Sequence, residues 1–238
     1  MTLTDRYKKG ECKTVYAEIL KLEEKAYQPE YYADIIDVLR ETFRRVAHNL
    51  ELIHAELALR GYNFCKETDY DFQNPICKPA QETEKLIEKL DKTVRSVGAV
   101  PESIKMFYQI VGSCNFAWDY DTDDEIPWEG ADPIQLFPLN DMLDELIEMA
   151  ENEEPIEYLQ LSADYLHKDN ISGGPAYGIE ITPGPSIDGL FLNEEHNTTF
   201  INYLRIAFEH GGFSRGQEIT VPDFKDYLCT ILPKLLPI

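Results

Sequence analysis

Residues 176–192 read Ala176-Tyr177-Gly178-Ile179-Glu180-Ile181-Thr182-Pro183-Gly184-Pro185-Ser186-Ile187-Asp188-Gly189-Leu190-Phe191-Leu192. Two β-suited runs, 176–181 and 187–192, flank a Pro-Gly-Pro turn, and this spacing predicts an antiparallel pair. Downstream, Phe200, Leu204, Ala207 and Phe208 recur at helical spacing until Gly211-Gly212 stops them. A last helix begins near Pro222, carries Phe224, Leu228, Ile231 and Leu232, and is cut at Pro233.

Upstream, Pro101-Glu102-Ser103 opens a short helix bearing Ile104, Phe107, Tyr108 and Val111, closed by Gly112. Strands are expected over 114–118, 133–137 and 158–161, the last continuing toward Leu166. Between them Leu139, Leu143, Leu146, Ile147 and Ala150 mark an amphipathic helix. There is no regular βαβ alternation and no phosphate-binding fingerprint. The expected class is therefore α+β, with one antiparallel-dominated sheet over 98–215 flanked by helices.

The first 97 residues read as an additional helical region. Val15, Ile19 and Leu22 mark a first helix. A long second one starts near Pro29, and its apolar stripe is Ile35, Leu39, Phe43, Val46, Leu50, Ile53 and Leu57, with Gly61 as its stop. A third carries Leu86, Leu90 and Val94. The expected division is a helical region over 1–97 and an acidic α+β domain over 98–238.

Charge supports that division. The chain carries 44 acidic and 22 basic residues, a net −22. Residues 1–97 hold 18 acids and 16 bases, whereas 98–238 hold 26 acids and 6 bases. From Met106 to His167 there is no Lys or Arg. Such a field repels phosphate backbones and attracts a basic protein or a cation, so direct nucleic-acid binding is not expected. No apolar run reaches the roughly 20 residues of a membrane span. Five scattered cysteines suit reduced thiols in a cytosolic setting better than a disulfide framework.

Three polar stretches carry the residue types that chemistry would need. Asp119, Asp121 and Asp123 occupy positions 1, 3 and 5 of a calcium loop, but Asp124 stands where Gly is needed and Gly130 where the bidentate acid belongs. No metal site is expected there. The loop instead offers Asp121, Asp123, Asp124 and Glu125 to a basic partner, with Trp128 as an aromatic anchor. The Gly-rich stretch from His167 to Gly174 lacks P-loop spacing, so a tight turn is expected. Asn197 or Thr198 suits a helix cap. An enzyme or small-molecule binder using a pocket near His167, Ser172 and His196 is the alternative. No catalytic residue or cofactor emerges, and the oligomeric state is not legible.

The second portion resembles the SUKH superfamily of fungal cell-wall-synthesis regulators and bacterial immunity proteins. The resemblance rests on Val100-Pro101-Glu102-Ser103, Phe107-Tyr108 and Val111-Gly112-Ser113. It also rests on the turn from Asp164 to Gly174 with Lys168, Asn170, Ser172, Gly173 and Gly174, on Tyr177-Gly178-Ile179-Glu180, on Asp188-Gly189 through Glu194, and on the stretch from Thr199 to Phe213. It covers about 98–215. Val111-Gly112-Ser113 stands where many members have Asn-Gly-Gly, and residues 1–97 lie outside the usual domain. The resemblance implies a sheet flanked by helices, without catalysis, that binds other proteins, including nuclease-type toxins.

Overall fold

The computed structural model describes residues 1–66, 74–120 and 127–238. Its organising element is the helix α3 (Pro29–Leu59), which follows α1 (Leu3–Lys8) and α2 (Cys12–Leu20). Pro29 occupies the first turn, where a missing N–H costs nothing, and Gly61 leaves the helix at φ +77°. All seven residues of the expected stripe are buried. The Asp34 carboxylate accepts hydrogen bonds from the first N–H groups of α1, at 2.6 Å from Leu3 and 3.1 Å from Thr4, which seats α1 on α3.

The other face of α3 packs on the second half of the chain. After α4 (Thr83–Val94), α5 (Glu102–Ile110) brings Phe107 to 6.1 Å from the Phe43 ring, and α8 (Phe200–Glu209) brings Phe200 to 6.3 Å. Further on, Asn49 pairs both ways with the Leu236 backbone, donating at 2.9 Å and accepting at 2.8 Å. The charge boundary at 97/98 is thus no break in the apolar core, which runs continuously from Tyr7 to Ile238.

The fold is α+β, and its β-structure is antiparallel. It forms two three-stranded ladders rather than one sheet. The first orders β1 (Ile76–Cys77), β2 (Ser113–Asn115) and β3 (Gln135–Leu136); the second orders β4 (Tyr158–Ser162), β5 (Tyr177–Glu180) and β6 (Phe191–Leu192). A backbone hydrogen bond of 2.8 Å from Phe137 N–H to Leu161 O links them, beside α6 (Leu139–Glu151). The expected pairing of 176–181 with 187–192 is present, with Ile179 opposite Phe191. Only its far end forms a ladder. The segment 186–189 turns away because Ser186 O and Ile187 O accept the first N–H groups of α5, each at 2.9 Å.

Another expectation is corrected between β4 and β5. The strand does not continue toward Leu166. Asp164 accepts from the N–H groups of Leu166 and His167 and starts the single-turn helix α7 (Tyr165–Lys168). A side-chain acceptor competes with strand pairing here, as Asp commonly does. The chain closes with α9 (Pro222–Ile231).

Candidate functional site

A cleft of about 490 Å³ opens where the two ladders part. Gln135 and Phe137 come from β3 and its exit, and Gln160 and Ala163 from β4 and its exit. Asp164, His167 and Lys168 come from the α7 turn, and Trp118 and Asp119 from the segment after β2. Its floor is set by pairing across the gap: the Gln135 side-chain oxygen accepts from Ala163 N–H at 2.9 Å. The size suits a small molecule or a single protein side chain.

Two carboxylates, Asp119 and Asp164, lie in this cleft, and both residues are buried. Burial pushes the Asp164 carboxyl up, but hydrogen bonds from the His167 ring and from the Leu166 and His167 N–H groups outweigh it and hold it below the usual range. His167 Nδ1 is bonded to Asp164 Oδ2, while the ring is half exposed. The Lys168 ammonium is fully enclosed, 2.7 Å from Asp132 Oδ1 and 4.8 Å from the centre of the Tyr177 ring. Asp132 Oδ2 takes further hydrogen bonds from Ser214 Oγ at 2.6 Å and Tyr177 OH at 3.3 Å.

The next residue completes the scaffold. Asp169 accepts from Gly130 N–H at 2.6 Å and from Tyr120 OH at 3.4 Å. Consecutive residues Lys168 and Asp169 therefore anchor the segments on both sides of the acidic loop. Asp121, Asp123, Asp124 and Glu125 themselves lie outside the described residues.

Trp128 is not presented as a surface anchor. It is 5% exposed, with its ring 4.9 Å from Phe224, 5.0 Å from Tyr227 and 5.1 Å from Phe213. Its indole N–H donates to Asp223 at 3.3 Å. The flanking acids suggested an exposed site, but the aromatic residues of 213–227 supply a better environment for an indole.

The residues that carried the resemblance fall into separate places. Pro101, Asp188 and Gly189 meet. Asp188 accepts from Tyr16 OH, from Ser103 Oγ at 2.7 Å and from Ile201 N–H at 3.1 Å, so it caps α8 from a distance. A side chain on Gly189 would press on Pro101 Cγ at 2.9 Å. Gly173 lies so close to the Asp164 carboxylate that no Cβ fits, and Gly112 has φ +94° against the Cys77 carbonyl. Asn170 adopts φ +56° at the cleft rim. Ser172 and Gly174 are exposed.

Neither Ser172 nor His196 lines the cleft that holds His167, so the expected three-residue pocket does not form. His196 belongs to a different polar group. Its Nε2 donates to Ser214 O at 3.0 Å and lies 3.4 Å from Glu194 Oε1. Burial pushes the Glu194 carboxyl up to about 7; the N–H and ring of His196 oppose this, while Asp132 and Glu195 reinforce it. The cap of α8 is Thr199, not Asn197 or Thr198.

The acidic segment 119–157, which holds 15 carboxylates and no Lys or Arg, also forms a second acidic surface along α6. Asp144, Glu148 and Glu151 of α6 are exposed, as are Glu153, Glu154 and Glu157 beyond it. None of these forms an ion pair among the described residues. Glu145, half-buried among them, has its carboxyl raised by burial and by Glu148. Gln160 lines both the cleft and a shallow groove between α6 and β4, so the two features are neighbours.

The chain matches no protein-family model, no curated protein and no solved structure. Among the described residues no helix is long and apolar enough to cross a membrane, and no group of His, Cys, Asp and Glu side chains could hold a metal ion.

Proposed function

We propose that this chain is a protein-interaction module that binds a basic protein partner. The observation that carries the reading is the exposed face of α6 and its extension to residue 157, negative throughout and without ion-pair partners among the described residues. A partner that binds nucleic acid must display positive charge, and such a face steers toward it and competes for it. The reading is that of an immunity protein that neutralises a nuclease-type toxin in the cytosol. The resemblance of 98–215 to the SUKH superfamily supports it independently of charge. It assigns no catalytic residue and needs no cofactor.

The test begins with a partner captured from the native host. Its association rate is then measured against salt for the wild type and for a variant carrying Asp144→Asn, Glu148→Gln, Glu151→Gln and Glu154→Gln. Exposed charges are screened over about 8–10 Å at physiological ionic strength, so the wild-type rate should fall steeply with salt and the variant should be slow at low salt. An unchanged rate in the variant at low salt would overturn the steering role. A partner that is not basic would overturn the reading itself.

The alternative of an enzyme or small-molecule binder draws on one specific feature, the Asp164–His167 pair at the cleft. Among the described residues no serine or threonine lines that cleft, and Ser172 stands outside it. The interaction reading is therefore preferred.

A further inference from the structure

A second open cavity, of about 560 Å³, shares no lining residue with the cleft and lies between the turn into α2, α8 and the segment 235–238. Its walls are largely apolar. Phe208, Leu232, Leu235, Leu236 and Pro237 all line it, and Leu232 and Leu236 are 37% and 42% exposed. Large apolar side chains gathered around one opening mark an interaction site, where scattered ones would not. The wall is also held in place. Asn49 takes both backbone groups of Leu236, Arg45 Nη1 donates to Pro237 O at 2.9 Å, and Arg205 Nε donates to Ile238 O at 2.8 Å. These contacts use the backbone of the segment, so the Leu236 side chain is left to face solvent.

Charge decides the occupant. The charged residues of the lining are Glu11, Lys13, Arg205 and Glu209, two of each sign. Glu11 pairs with Arg6 at 2.9 Å and Lys13 with Glu209 at 2.8 Å, the latter pair mostly exposed. A balanced patch has little to draw a basic partner, which the acidic α6 face attracts instead. A small ligand needs free polar groups to orient it, and Arg205 is engaged by Ile238 O, by Asn202 Oδ1 and by the Tyr16 ring. A second copy of this chain meets both conditions. At a net charge of −22, two copies repel each other wherever acid faces acid, and this patch is exempt. Lys13 and Glu209 also make the patch self-complementary: across a two-fold axis, each Lys13 can meet Glu209 of the other copy.

We propose that two copies of this chain pair about a two-fold axis through this patch. The proposal stands on observations separate from those behind the interaction reading. Sedimentation of the full-length protein tests it, up to about 300 µM chain. The mass should approach that of two chains as concentration rises. Raising NaCl from about 0.1 to about 1 M should tighten the dimer at least about threefold, because screening relieves the repulsion of two acidic chains and weakens only two surface ion pairs. Leu236→Asp and Leu232→Asp should each leave a monomer that melts close to the wild type. Leu59→Asp, at an 84% exposed position outside the lining, should dimerise as the wild type does. Lys13→Glu and Glu209→Lys chains should each pair poorly alone, and an equimolar mixture should form a heterodimer at least about fivefold tighter than either homodimer.

A monomer under all conditions would overturn the proposal and leave the cavity to another protein or to an apolar small molecule. A dimer that survives both aspartate substitutions in the lining would overturn it too, since that dimer forms elsewhere. So would a dimer that salt weakens, or a mixture of the two charge variants no tighter than its parts.

Discussion

The Lys168 ammonium lies 2.7 Å from Asp132 Oδ1, and neither side chain reaches solvent. Breaking a buried pair by removing one partner strands a charge, which typically costs about 3–5 kcal/mol. Lys168→Met should therefore lose that much stability in urea denaturation. Adding Asp132→Asn should recover part of the loss, because it removes the stranded charge and Asn tolerates the φ of +55° found there. A loss below about 1 kcal/mol in the single variant would mean that water reaches Asp132.

Glu194 sets a pH dependence. An unfolded glutamate titrates near 4.3, while the folded carboxyl holds its proton up to about 7. The unfolded chain thus releases this proton first as pH rises. The contribution of Glu194 to stability is full below about pH 4.3 and is lost as pH climbs toward 7. Glu194→Gln keeps the shape and cannot ionise. Stability measured across this window should decline less steeply in the variant, which should exceed the wild type above pH 7. Parallel curves would show that the carboxyl is ionised in the fold throughout.

Trp128 supports the interior among Phe213, Phe224 and Tyr227. Trp128→Ala should cost about 3–5 kcal/mol by chemical denaturation, with Trp128→Phe costing clearly less. If the alanine variant loses under about 1 kcal/mol, the indole is not packed as described.

Gly112 and Gly130 separate two causes of glycine dependence. Both have positive φ, but a Cβ on Gly112 would overlap the Cys77 carbonyl, whereas nothing among the described residues lies within 4 Å of one on Gly130. Each alanine variant pays for backbone strain, of the order of 1 kcal/mol. Gly112→Ala should lower the melting temperature by clearly more than Gly130→Ala. Equal shifts would show that the β1–β2 contact yields freely.

The helices were legible because a 3.6-residue period records which face is buried, whatever the partner. The stripe from Ile35 to Leu57 and the stops at Gly61, Gly112 and Gly211 all emerge where the pattern put them. Strand extents were less legible. The run 187–192 has β-suited residues throughout, yet Ser186 O and Ile187 O are taken by α5, a demand that local composition does not encode. The cleft was hidden for a similar reason. Trp118, Gln135 and Gln160 stand 17 and 25 residues apart in sequence, and only the separation of two ladders makes them neighbours. Asp188 and Gly189 could be picked out as a motif, but their service to α8, Ser103 and Tyr16 depends on contacts up to 172 residues away.

The placement of α3 bears on how the chain is made. This helix leaves the ribosome before Phe107, Phe200 and the segment beyond Leu235, which cover the part of its apolar surface that α1 does not. At ordinary synthesis rates the gap between α3 and Phe200 is on the order of ten seconds. Through that interval the nascent chain displays a partly covered hydrophobic helix, a natural ligand for a holding chaperone. A premature stop before residue 200 would leave that display permanent, so truncated products should be recognised and degraded rather than accumulate as a stable half-protein.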